Sequence, residues 1–310
     1  MADPQRAHLL TRLTTDRYSE VVRVLNRVLV LNLAVAIVKI ALGYATGAVS
    51  ILSEGFHSLT DSASNVVALV GVSIARRPPD ADHPYGHRKY ETMASLGILI
   101  FLIVVLVQVL AAAYDRLVHG GVPRVFPEGI GVMAATLVVN LFVVQYEMRE
   151  ARRLNSEVLQ ADAMHTRSDV LTSATVLAAL LGVWLGHPWL DPLAAIVVAA
   201  FIGRAGWHIA QEASRILGDQ IVIAEDDVRA VVRSVPEVLG CHHIRTRGSA
   251  DHVFMDLHVW LDGRTPLETA HSTSHLVKDR LMKRFPHLAD IVIHIEPPPS
   301  TSHSQHANVQ

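Results

Sequence analysis

Long apolar runs alternate with short polar connections as far as about residue 217, and beyond it charges and histidines interleave with brief hydrophobic stretches. Runs of helical length, enough to cross a hydrocarbon layer of about 30 Å, fall at residues 21–44, 49–74, 90–114, 126–145, 161–185 and 189–210. The first, third, fourth and sixth are mostly aliphatic. The second and fifth each carry a polar stripe at helical spacing: Glu54, His57, Asp61 and Asn65 in one, Asp162, His165, Asp169 and Thr172 in the other. A membrane helix that is polar along one face must turn it toward protein or water, so these two helices are expected to line a path or a buried site.

After Gly218 the periodicity becomes that of a small α+β domain in the order helix, strand, strand, helix, strand. The helices are expected at residues 225–235 and 266–285, and the strands at residues 241–246, 253–261 and 291–296. Within the second strand Val253, Met255, Leu257, Val259 and Leu261 fall on one face and leave Asp256 and His258 on the other. The last strand repeats the arrangement, with Ile291, Ile293 and Ile295 inward and His294 and Glu296 outward. The expected organisation is a polar lead-in at residues 1–20, a six-helix transmembrane domain at 21–212, a cytosolic domain at 213–298 and a disordered tail at 299–310.

Composition supports this division. Half the residues are hydrophobic and only 18% are charged, the balance of a polytopic membrane protein with a soluble part. Arg and Lys crowd the N-terminus (Arg17, Arg23, Arg27), the second connection (Arg76, Arg77, Arg88, Lys89) and the end of the fourth run (Arg149, Arg152, Arg153). The positive-inside rule then places both termini in the cytosol. Lys39, inside the first run, is expected to snorkel to the nearer interface. The single cysteine, Cys241, excludes an internal disulfide and any multi-cysteine zinc site, and reads as a small buried hydrophobe. A net charge of −2 points to no nucleic-acid partner.

The candidate chemistry is metal ligation. His57-x-x-x-Asp61 and His165-x-x-x-Asp169 each place an imidazole and a carboxylate on one helix face, and two such helices supply four ligands. Two imidazoles and two carboxylates suit a tetrahedral ion of zinc type and offer too few hard oxygens for calcium or magnesium. Asp80, His83 and His87 lie in a turn-rich loop with Pro78, Pro79, Pro84 and Gly86 and could wrap a second ion. Ten of the eighteen histidines fall after residue 241; His258 and His294 leave the aliphatic faces of their strands, and His271 and His275 share a helix face. His243, His252, His287, His303 and His306 read as solvated. No His-Glu-x-x-His pattern is present, so an enzyme is not expected.

These residues resemble the cation diffusion facilitators, over nearly the whole chain from residue 21 to 297. The likeness rests on the segment from Gly47 to Asp61, on Asp80-x-x-His83-Pro-Tyr-Gly-His87-Arg-Lys-Tyr-Glu91, on Asp162-Ala-x-His165-x-x-x-Asp169 and on Asp191-Pro192. The resemblance implies a homodimeric antiporter, six spans per subunit with a cytosolic ferredoxin-like, metallochaperone-like domain, exporting a divalent cation, usually Zn2+, against protons. It also implies a transport site of His57, Asp61, His165 and Asp169, a second site of Asp80, His83 and His87, and cytosolic ligands His242, His258, His271, His294 and Glu296. Relatives often carry Asp at the last position. Lys89 and Asp219 match a family charge pair linking the membrane and soluble parts. Histidine at position 57, where many bacterial relatives have Asp, resembles the zinc-preferring members; Co2+ or Cd2+ are the alternatives. The short connection at residues 147–157 resembles the prokaryotic type, which implies the cytoplasmic membrane of a prokaryote. A membrane-anchored metal sensor is the competing reading.

Overall fold

The computed structural model describes residues 4–46, 49–119, 127–184 and 190–299. The chain divides into two compact units, one of His8–Ser214 and the other built on Arg215–Gln310. The expected tail lies almost wholly outside the described residues.

Six long helices make up the first part of the chain: α1 (Pro4–Thr46), α2 (Val49–Ala75), α3 (Lys89–His119), α4 (Pro127–Leu154), α5 (Glu157–Trp184) and α6 (Leu190–Leu217). Each apolar run read from the sequence falls in one of them as far as the described residues go, with residues 126, 185 and 189 outside those. Among the described residues, two stretches are long and apolar enough to cross a membrane by themselves, Asp16–Leu42 and Lys89–Asp115. The polar lead-in is not a separate segment, because it continues α1. Arg17 explains why: its guanidinium donates to Glu91 at 2.9 and 3.2 Å, and to the carbonyls of Leu154 and Asn155 at 2.7 Å each. It thereby caps the C-terminus of α4, whose last carbonyls have no intrahelical partners. Asn155 follows in the left-handed region (φ 47), and the Ser156 hydroxyl accepts from the Leu159 amide at 3.4 Å, opening α5.

The helices meet at small residues. A Cβ on Gly71 would lie 2.2 Å from the Ala94 Cβ, and one on Gly55 would lie 2.6 Å from Ile40 Cγ1 and 3.2 Å from Lys39 Cβ. These two glycines let α2 approach α3 and α1 backbone to backbone. Inside sit Leu25, Val72, Ile98, Leu102, Leu159 and Ile202. Outside, α3 exposes Ile100, Ile103, Val104 and Val107.

The second unit contains α7 (Glu225–Val232), β1 (Gly240–Ser249), β2 (His252–Trp260), α8 (Leu267–Arg284) and β3 (Leu288–Glu296). The sheet has the order β1-β2-β3, antiparallel between β1 and β2 and parallel between β2 and β3. Glu225, Asp226 and Asp227 occupy the first turn of α7, where acidic side chains favour the helix dipole. Val253, Met255, Leu257 and Val259 are each 1% exposed and pack with Val228, Val232, Val277 and Leu281. The alternation read from the sequence is thus the inner face of the sheet. Cys241 is buried with it.

Candidate metal sites

On α2 and α5 the helical spacing brings Asp61, His165 and Asp169 together, with ligand atoms within 4.8 Å of one another. His165 Nε2 lies 3.9 Å from Asp169 Oδ2. His165 is 3% exposed, and neither ring nitrogen has a hydrogen-bonding partner. An enclosed imidazole with two unpaired nitrogens costs free energy unless something binds it, and a divalent cation suits that need. His57 occupies α2 one turn before Asp61, and its side chain lies outside the described residues. The side chains of Glu54 and Asp191 lie outside them as well.

Asp162 and Asn65 of the two polar stripes extend this site, together with polar residues that the sequence reading did not single out. The Asp162 carboxylate, wholly buried, accepts from Ser64 Oγ at 3.1 Å and from Asn65 Nδ2, while Asn32 Nδ2 donates to Asn65 Oδ1 at 3.0 Å. Glu147 is also wholly buried; Thr166 Oγ1 donates to its Oε2 at 3.4 Å, and its Oε1 has no partner. Lys39 does not snorkel. It is 3% exposed, and its Nζ donates to Ser58 Oγ at 2.9 Å. The reason is the Gly55 contact, which draws α1 so close to α2 that the side chain points into the bundle.

The second group forms in the loop between α2 and α3. Asp80 Oδ1 accepts from the His83 amide at 2.7 Å and lies 3.2 Å from His83 Nδ1, while Asp80 Oδ2 lies 3.5 Å from His87 Nε2. The amide hydrogen bond from His83 is the main cause that holds the Asp80 carboxyl below its ordinary value, against the opposing effect of its partial desolvation. The turn closes at Gly86 (φ 81), a left-handed conformation that glycine adopts without strain. His87 is 4% exposed and its Nδ1 is unpaired, so this group also has an enclosed donor to offer.

The sheet register builds the third group. His242 pairs with His258 and His258 with His294, so three imidazoles stand side by side across the strands, and Glu296 follows opposite Trp260. His242, His258 and Glu296 hold ligand atoms within 4.8 Å of one another. His258 Nδ1 and His294 Nε2 lie 3.4 and 3.8 Å from Glu296 Oε2, and Trp260 Nε1 donates to Glu296 Oε1 at 3.1 Å. Burial alone would raise the Glu296 carboxyl, but that indole hydrogen bond and the neighbouring histidines hold it below its usual range. Burial and the adjacent His243 push His242 down. His243, read from the sequence as solvated, belongs beside this row: it sits at an irregularity in β1 with φ 47, its ring centroid 5.2 Å from that of His258. His271 is not brought to the group within the chain. Its Nε2 lies 3.2 Å from that of His275 on α8. Lys89 opens α3 and Asp219 follows α6 in the left-handed region (φ 52).

Two family models match the chain. Residues 25–217 match the family model of the cation efflux transmembrane domain, and residues 223–298 that of the cation efflux protein cytoplasmic domain. A cation-efflux pump, FieF, of Serratia proteamaculans is 32% identical over 264 residues, covering 84% of this chain and 87% of its own. An uncharacterized transporter of Methanocaldococcus jannaschii is 31% identical over 252 residues, 81% of this chain and 89% of its own. Among solved structures, the metal-bound C-terminal domain of the CzcD transporter from Thermotoga maritima is 28% identical over 24% of this chain and 88% of its own, with a TM-score of 0.23.

Proposed function

Since the chain belongs to the cation diffusion facilitator family, membrane transporters that export divalent cations and are not enzymes, we propose that its principal substrate is zinc and that zinc leaves the cytosol in exchange for protons. The observation that carries this reading is the convergence of Asp61, His165 and Asp169, with both nitrogens of His165 unpaired inside the bundle. His57, one turn before Asp61, supplies the fourth ligand. Zinc binds the neutral imidazole, so protons and metal compete for the same lone pairs.

In the proposed cycle the six helices span the membrane with both termini in the cytosol. Zinc enters from the cytosolic side and displaces protons, the bundle rocks, and protonation on the far side releases the ion. The two imidazoles and two carboxylates favour zinc over manganese, with cobalt and cadmium as competing substrates. The loop group Asp80, His83 and His87 and the cytosolic group His242, His258, His294 and Glu296 bind the same class of ion, and the cytosolic group regulates transport in a homodimer. His271 joins that group only across two copies.

The test is zinc flux into sealed vesicles holding the purified protein under an imposed pH gradient. Flux is expected to follow the gradient and to vanish in Asp61→Ala and Asp169→Ala. Flux that ignores the gradient removes the proton exchange, and flux that survives both substitutions removes the site. Cutting the chain at Gly218 separates a transporter, which keeps partial flux, from a membrane-anchored sensor, which has none to keep.

A further inference from the structure

Lys39 is a basic residue enclosed beside a site that must hold a cation, and nothing in the transport cycle above uses it. On α1, Asn32 and Val35 line the cavity that Asp61, His165 and Asp169 share. Lys39 follows Val35 by one helical turn and so continues the same face. Its Nζ is held at 2.9 Å by the hydroxyl of Ser58, which lines that cavity. The Gly55 contact fixes the reach, since α1 and α2 touch there at Lys39 Cβ and at the Ile40 backbone. A primary amine kept 3% exposed is strongly disfavoured without negative charge close by, and the Ser58 hydroxyl that holds it lines the same cavity as the carboxylates of Asp61 and Asp169.

We propose that Lys39 is a tethered counter-cation of the transport site: its ammonium shares the field of Asp61 and Asp169 when no metal is bound, and a divalent ion must displace it to bind. The inference rests on the reading of Asp61, His165 and Asp169 as the transport site. Its consequence is a lowered affinity and a faster release. On the proposed orientation α1 runs outward, so Lys39 stands on the extracytosolic side of the cavity, past Asn32 and Val35. A fixed positive charge there opposes rebinding from outside and leaves the cytosolic approach, past Asn65 and Asp162, free of it.

The test is zinc flux by the full chain in vesicles, with KM and kcat read separately. Lys39→Gln keeps a polar group for Ser58 and removes the charge, Lys39→Met removes both, and Lys39→Arg keeps the charge. With one positive charge removed from an enclosed site, the neutral variants are expected to lower KM by about tenfold and to lower kcat as release slows, while Lys39→Arg stays near the native values. A neutral variant that folds and raises KM, or leaves KM and kcat unchanged, overturns the proposal. If neither neutral variant folds, Lys39 is a structural residue and the proposal also falls. Asp61→Asn and Asp169→Asn measured alongside separate the two ideas. If both keep native flux, the transport-site reading fails, whatever Lys39 does.

Discussion

Replacing Glu157 by glutamine should stabilise the protein at neutral pH. Glu157 begins α5 and accepts from Thr92 Oγ1 at 2.9 Å. Burial raises its carboxyl from 4.5 to about 7; the charge of Glu91 adds to the rise, the Thr92 hydrogen bond opposes it, Glu212 adds again and Arg17 opposes. Below pH 4.5 the carboxyl is protonated whether the chain is folded or not. Between 4.5 and about 7 the unfolded chain gives up the proton while the folded chain keeps it, so stability falls as pH rises through this window and levels off above it. At ~1.4 kcal/mol per pH unit the full loss is roughly 3 kcal/mol. The amide introduced by Glu157→Gln would be uncharged at every pH and could still accept the Thr92 hydroxyl. Thermal unfolding followed by tryptophan fluorescence, in detergent with a metal chelator, measures the effect from pH 5 to 8. The native Tm should fall across the window while that of the variant stays level, with a gain for the variant at pH 7.5 of roughly 5 to 10 °C. A variant that melts at or below the native temperature at pH 7.5, or keeps the native slope, refutes the reasoning.

Three further outcomes follow from particular contacts. Leu257→Ala empties a position that is 1% exposed on the inner face of the sheet and should cost about 3 kcal/mol, seen as earlier unfolding of the cytosolic part in hydrogen exchange. Glu296→Ala removes the carboxylate that faces His242, His258 and His294, and should lower the zinc bound per chain at equilibrium dialysis while leaving partial flux. Gly71→Val forces α2 off α3, since even a Cβ there meets Ala94 at 2.2 Å, and should abolish monodisperse protein on gel filtration.

Sequence periodicity carried a long way here. The 3.6-residue spacing of apolar runs and the alternation in Val253 to Leu261 reflect which side chains must leave water, so the helices, the strands and the inner face of the sheet were readable directly. The His-x-x-x-Asp pairs were readable for the same reason: a four-residue step on a helix is one face, whatever the rest of the molecule does. What the pattern could not contain was the partner across the gap. Lys39 reads as a snorkelling residue on its own helix, and only the close approach at Gly55 turns it inward to Ser58. His243 reads as solvated until the irregularity in β1 brings its ring beside His258. Glu147 and Asp162, 15 positions apart on two helices, become enclosed neighbours only when α4 and α5 pack. Apolar periodicity is a property of one element at a time, and the sequence by itself determined it. Charge neighbourhoods depend on how closely two backbones come together, and the tertiary structure alone decided them.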